Sequence, residues 1–234
     1  MRKKIKLTIL VAITIIFLLL GIYLIFFTKF FIVKSVEVEG NLTCVDRENL
    51  LGSMEIVGSN FFLIQNLAIE EKLKDRFTCI KSVKVFKKFP NRIFLEVKNR
   101  SPQAKFFVLK NQESTPSAVE DFSLVDEEGV LFSGSDGAGL KIYSEHKDKD
   151  IKKILLVLNK TKFFGIEIME ASIVEDTLLI HSVPKIIFAL EKDIDMQIAS
   201  LQLILSKAKI DEETIEFIDL RFDKPVVRFA PKKK

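Results

Sequence analysis

The chain has 234 residues, 48% hydrophobic and 29% charged, enough for one or two folded domains. With 6 Pro and 9 Gly it is neither collagen-like nor disordered. The net charge of +4 sits in the first six residues: Arg2, Lys3, Lys4 and Lys6 leave 32 Lys+Arg against 32 Asp+Glu in the rest. A neutral body lacks the basic face that general nucleic-acid binding needs. Two His and two Cys leave little for a metal site or a cysteine scaffold, so no metal and no cofactor is expected.

Leu7 to Phe27 is a run of 21 residues without a charge. As a helix it measures roughly 30 Å, the thickness of a bilayer's hydrocarbon core. A cleaved signal peptide has a shorter apolar stretch and a small-residue cleavage site, and Phe26-Phe27-Thr28-Lys29-Phe30-Phe31 is the wrong chemistry for one. The expectation is an uncleaved anchor in the cytoplasmic membrane. The preceding basic cluster holds the amino terminus, residues 1–6, in the cytoplasm and the bulk of the chain outside. Cys44 and Cys79 then lie in a space that can be oxidising, where they either pair or stand as two small buried residues.

Residues 33–101 read as strand, helix, helix, strand, strand. Ser35 to Glu39 alternates as a half-buried strand, and Gly40-Asn41 ends it. A short helix covers 45–53. Asn66 is placed to cap a second helix, with Ile69, Leu73 and Phe77 on one face. Residues 81–87 and 92–98 form a hairpin about Phe89-Pro90-Asn91, with Val83, Val85, Ile93, Leu95 and Val97 inward. Its glycines are isolated, so no phosphate-cradling loop is present. What such a unit offers is sheet edges, which can accept a strand from another chain.

The order Val36-Glu37-Val38-Glu39-Gly40-Asn41, Gly58-Ser59-Asn60-Phe61-Phe62, Ile80-Lys81-Ser82-Val83-Lys84-Val85, Phe89-Pro90-Asn91 and Arg100-Ser101-Pro102 resembles a POTRA domain. More closely it resembles that of the bacterial cell-division family FtsQ/DivIB, whose layout is a short tail, one span and a POTRA domain.

A polar loop is expected over Lys110 to Glu120. Phe122–Val125 and Val130–Ser133 flank Asp126-Glu127-Glu128-Gly129 as a hairpin, with Gly129 at positive φ. Three consecutive acids on a tight turn point apart and do not make a metal loop. Residues 133–139, glycine-rich, read as a flexible link without the Lys of a P-loop. An amphipathic helix is expected over 149–160 and a longer one over 193–209, with Ile194, Ile198, Leu201, Leu205 and Ala208 on its core stripe. Strands are expected at 166–168, 171–174, 177–182 and 185–190. A strand over 215–222 should place Ile218, Leu220 and Phe222 on one face and Asp219, Arg221 and Asp223 on the other. Lys224-Pro225 leads to a last strand, Val226-Val227-Arg228-Phe229, and the tail 230–234 is basic.

Asp219-Leu220-Arg221-Phe222-Asp223 is similar to a segment near the end of the FtsQ-type β domain, and Leu124 to Gly129 resembles that domain's start. The resemblance therefore spans 1–229 and implies an α+β protein: one transmembrane helix (7–27), a POTRA domain (33–101), and a mostly antiparallel β domain with two amphipathic helices (102–229). Asn99 and Leu190-Glu191 depart from the family's pattern.

The resemblance implies a non-catalytic scaffold at the division septum. It would bind FtsB/DivIC-like and FtsL-like bitopic proteins by strand addition and help control septal peptidoglycan synthesis. Other division proteins would meet the POTRA domain. The binding residues it implies are Val226, Val227, Arg228 and Phe229, with Arg221, Phe222, Asp223, Lys224 and Pro225 before them. Arg221 would face a partner carboxylate, or pair with Asp219 or Asp223. Phe222 would supply apolar contact, or pack in the core. His146 and His181 stand in no recognisable catalytic motif, so an enzyme is not expected. Two competing readings are a POTRA protein of protein transport or outer-membrane assembly, which would lead into a long barrel, and an anchored sensor, which would carry a cytoplasmic output domain.

Overall fold

The computed structural model describes residues 2–40, 42, 44–109, 122–134, 137–146 and 150–231. The expected turn residue Asn41, the polar loop 110–120, part of the glycine-rich link, Lys149 and the end of the basic tail lie outside the described residues. The chain divides into two compact units, Met1–Arg100 and Ser101–Lys234.

Helix α1 runs Arg2–Phe27, so it begins before the apolar run rather than after a separate tail. Its window Ile9–Phe26 is long and apolar enough to cross a membrane, and none of it is buried within the protein. Thr14 bonds back to the Leu10 carbonyl at 2.8 Å, which hides its hydroxyl along the helix.

Beyond a 3₁₀ turn at Lys29–Phe31 come β1 (Ser35–Glu39), α2 (Arg47–Gly52), α3 (Asn66–Arg76), β2 (Ile80–Lys88) and β3 (Arg92–Asn99). The sheet order is β1-β3-β2, with β1 parallel to β3 and β2 antiparallel to it. Val83, Val85, Ile93, Leu95 and Val97 are buried with Leu50 and Leu73 of the helices, so the period-two pattern set the face. Gly40 ends β1 at φ +127°, where an added Cβ would lie 2.1 Å from the Val97 carbonyl oxygen. Only glycine passes that close. Asn66 does not cap α3: Gln65 holds the cap position, and Asn66 donates to the Val85 carbonyl at 2.9 Å, tying helix to sheet. Cys44 and Cys79 form a disulfide.

The second unit is a sheet of nine strands: β4 (Ala104–Val108), β5 (Phe122–Val125), β6 (Leu131–Phe132), β7 (Leu140–Ser144), β8 (Glu170–Val174), β9 (Thr177–His181), β10 (Lys185–Ala189), β11 (Ile215–Asp219) and β12 (Val226–Phe229). Their order is β12-β11-β10-β9-β8-β7-β4-β5-β6. The pairs β4–β7, β7–β8 and β10–β11 are parallel and the rest antiparallel. β4 and β7 were not expected. The expected strand at 166–168 is absent: Ile166 and Ile168 are buried, but the segment joins no ladder.

Helices α4 (Ile151–Phe163) and α5 (Ile194–Ile210) contribute their apolar stripes to one core with the sheet. Asp150 accepts from the Lys153 amide, and Asp193 from the Asp195 and Met196 amides, so each helix starts on an acidic cap. Asp126 is buried and its Oδ1 accepts from the Glu128 and Val130 amides at 3.0 and 2.9 Å. That carboxylate holds the turn whose Gly129 has φ +82°.

Candidate partner-binding edge

The sequence Ile215 to Phe229 builds one end of the large sheet. β11 is inside, parallel to β10 and antiparallel to β12. Among the described residues β12 pairs with β11 alone, so its far side is a free edge.

Two hydrogen bonds fix which backbone groups face outward. The Leu220 amide donates to the Ile187 carbonyl at 2.9 Å, so the amides of Ile218 and Leu220 face β10 and those of Phe217 and Asp219 face β12. Phe217 pairs with Arg228, and Asp219 with Val226. At the far end the Ala230 amide donates to the Thr214 carbonyl at 2.8 Å. Both observations give one parity: Val226, Arg228 and Ala230 face inward, and the peptide groups of Val227 and Phe229 face away from β11. The register shift between Ile215 and Phe217 lies on β11 and leaves that alternation intact.

The strand expected over 215–222 stops at Asp219. The reason is local: Asp219 Oδ1 accepts from the Arg221 amide at 3.0 Å, an Asx-type turn that takes the chain out of the ladder. Asp219 is therefore 4% exposed rather than on a solvent face. Its carboxylate also receives the Arg221 side chain, Nε to Oδ1 at 3.0 Å and a terminal nitrogen to Oδ2 at 2.7 Å. Of the two partners open to Arg221 within the chain, it takes Asp219.

Past this clamp Phe222 is turned outward at 54% exposure, not packed with Ile218 and Leu220, which are buried. The Arg221 guanidinium carbon stands 5.7 Å from the Phe222 ring centre. Asp223 pairs with Lys192 at 2.8 Å. Leu220, Phe222 and Pro225, together with Lys192 and with Met196 and Ser200 of α5, line a groove of about 210 Å³. On β12, Val226 and Phe229 are exposed, while Arg228 pairs with Glu216 at 3.1 Å and lies 5.4 Å from the Phe217 ring centre. The edge thus carries apolar side chains, and Arg221 and Arg228 are engaged with neighbouring acids.

Sequence reasoning missed Gln197. It is buried in the apolar stripe of α5, where its amide donates to the Ala189 carbonyl and accepts from the Ala189 amide, both at 2.9 Å. It completes the end of β10 as a strand would. A lone amide within an otherwise apolar stripe was the available signal.

Burial pushes the Asp219 carboxyl up, but the Arg221 side chain, its backbone amide and its charge together hold it below the ordinary carboxylate value. A lowered folded-state pKa contributes stability that is present above the unfolded value and lost as pH falls through the folded one. Asp219→Asn should cost about 1–2 kcal/mol at neutral pH, the half-exposed guanidinium being screened by water. Denaturant titrations of the two proteins should converge on acidification. A gap that persisted in strong acid would show that the carboxylate's charge is not its source.

The structure also brings Ser172 to His181, hydroxyl to Nε2 at 2.9 Å, a pairing the sequence did not announce. The imidazole is exposed on a sheet face and Ser172 is half-buried in mid-strand. Acyl transfer needs a nucleophile in a water-excluding pocket with amides aimed at an oxyanion. In mid-strand the amides serve the ladders to β7 and β9.

The first unit has the order βααββ, with a mixed three-stranded sheet backed by two helices. Residues 31–100 match the family model of the POTRA domain, FtsQ-type. The POTRA-type domain thus follows the apolar helix α1 and precedes the nine-stranded unit. No curated protein matches the chain.

Proposed function

We propose that the protein is a membrane-anchored, non-catalytic scaffold of the cell-division machinery. It takes an extended segment of an FtsB/DivIC-like or FtsL-like bitopic protein as an added strand beside β12. The observation that carries this reading is the outward parity of Val227 and Phe229 on an unpaired edge, flanked by exposed Phe222 and Val226. An incoming strand gains ladder hydrogen bonds from the edge and side-chain selectivity from the flanking apolar groups. Arg221 acts by holding the turn that presents Phe222, and a partner carboxylate would share its guanidinium with Asp219.

Three features support the setting. An FtsQ-type POTRA match follows an exposed apolar helix of spanning length. The basic cluster before that helix favours a cytoplasmic amino terminus. The Cys44–Cys79 disulfide suits an exported, oxidising location. Septal peptidoglycan synthesis would be influenced through the complex.

The test is a photocrosslinking residue at Val226 in dividing cells. It should trap a small bitopic membrane protein, with the tagged chain at midcell. A chain spread evenly over the envelope, or crosslinks only to unrelated proteins, would overturn the reading.

A further inference from the structure

The base of the POTRA-type domain carries an apolar surface that the strand-addition site does not use. Five phenylalanines from three segments meet there. Phe31 stands 5.0 Å from Phe30, 5.0 Å from Phe62 and 5.9 Å from Phe89, centre to centre. Phe61 lies beneath, 5.5 Å from Phe62 and 6.4 Å from Phe89. Phe61 is buried, whereas Phe30, Phe62 and Phe89 are exposed, as is Leu63 beside them. A contiguous cluster of large exposed apolar groups marks a surface that is covered in use.

The location says what covers it. Asn60 donates from its side-chain amide to the Ile25 carbonyl at 3.0 Å, and Ile25 lies within the apolar window Ile9–Phe26. Ile32 bridges Asn60, the Phe61 amide donates to the Phe31 carbonyl at 2.8 Å, and the Lys34 amide donates to the Asn91 carbonyl at 3.0 Å. The 60–63 loop and the β2–β3 turn are thereby held at the end of α1. Lys29 and Lys88, the chain neighbours of Phe30 and Phe89, are exposed, as is Lys87, whose ammonium lies 5.6 Å from the Phe61 ring centre. Exposed Phe and Leu side chains at the end of a spanning helix, with lysines beside them, fit the shallow apolar layer of a bilayer interface and its anionic headgroups.

We propose that Phe30, Phe62, Leu63 and Phe89 form a belt that seats the base of this domain in the bilayer interface, with Lys29, Lys87 and Lys88 on acidic phospholipid. The proposal rests on the reading of α1 as an anchor. It makes the domain a footed body on the membrane rather than one swinging from a tether.

The chain contains no tryptophan, so a single introduced indole reports its own site. Phe62→Trp, Phe89→Trp, Tyr23→Trp and Lys98→Trp would each be made in the full chain. Each is reconstituted into vesicles of phosphatidylethanolamine and phosphatidylglycerol with brominated acyl chains. Tyr23 lies in the span, and Lys98 at the opposite end of β3 from Arg92. The expected result is short-wavelength emission quenched by bromine for Phe62→Trp, Phe89→Trp and Tyr23→Trp, with Lys98→Trp unquenched. Quenching at Tyr23→Trp alone overturns the belt and leaves the anchor standing. Its absence at Tyr23→Trp overturns both. Short-wavelength but unquenched emission at the two phenylalanine positions means that protein, a second copy or a partner, covers the patch, and also overturns the belt.

Discussion

Val227→Pro should weaken binding of an extended FtsB/DivIC-like segment by about tenfold to a hundredfold and leave the fold intact. The magnitude follows from one lost donor: the partner's carbonyl is left buried and unsatisfied, at about 1–3 kcal/mol, and about 1.4 kcal/mol is tenfold in affinity. The fold is spared because proline is tolerated on an edge strand where the amide it removes faces solvent. The Val227 peptide faces outward on the parity fixed by Leu220 and Ala230. Arg228→Pro is the contrasting variant. Its amide faces Phe217 of β11, so proline there should loosen β12 from the sheet and reduce stability as well as binding. Calorimetric titration of a synthetic partner segment, with denaturant midpoints for both variants, separates the two effects. Native affinity in Val227→Pro would remove strand addition at this edge.

What the sequence disclosed and what it hid divide along physical lines. Helices α4 and α5 were legible because each carries an apolar stripe at helical spacing, a local signal, to which the structure adds the acidic caps Asp150 and Asp193. The hairpin β2–β3 was legible because one face is buried and the other wet. β4 and β7 were hidden because they are central strands with parallel neighbours. Phe106 and Phe107 are both buried, on opposite faces, and so are Ile142 and Tyr143, which erases the alternation that marks a strand. Residues 166–168 misled in the reverse sense: buried, exposed, buried is also the pattern of an extended segment lying on a core. At the β12 end of the large sheet, alternation from Ile218 through Phe222 predicted continued strand. The Asp219 side chain captured the Arg221 amide instead, and that bond exposed Phe222. The free edge itself could not be read from local pattern, since it depends on which strand finds no further neighbour.

Removing the Cys44–Cys79 link should cost the POTRA-type domain about 3–4 kcal/mol, the chain-entropy value for a loop of this length. The two residues are 35 apart, and the link joins the segment after β1 to the start of β2. A domain near this size buries a small core and is marginal by itself, so such a loss is a large part of its whole stability. Cys79 is buried, and its carbonyl accepts from the Arg100 amide at 2.8 Å while Arg100 Nε donates to the Thr78 carbonyl at 3.0 Å. The reduced domain therefore keeps this end of the sheet stitched, and unfolding should become easier without a change of fold. A Cys44→Ser/Cys79→Ser chain, compared with the native chain under oxidising and reducing conditions, should match the reduced protein and fall below the oxidised one in denaturant midpoint. The same link reports topology. If residues beyond α1 are exported, both thiols should resist alkylation in intact cells until a reductant is added. A chain whose amino-terminal lysines are replaced, so that it inserts the other way round, should expose them to the reducing cytoplasm and to the reagent. Thiols that alkylate freely in the native chain would remove the covalent link and, with it, the support that the link lends to an exported placement.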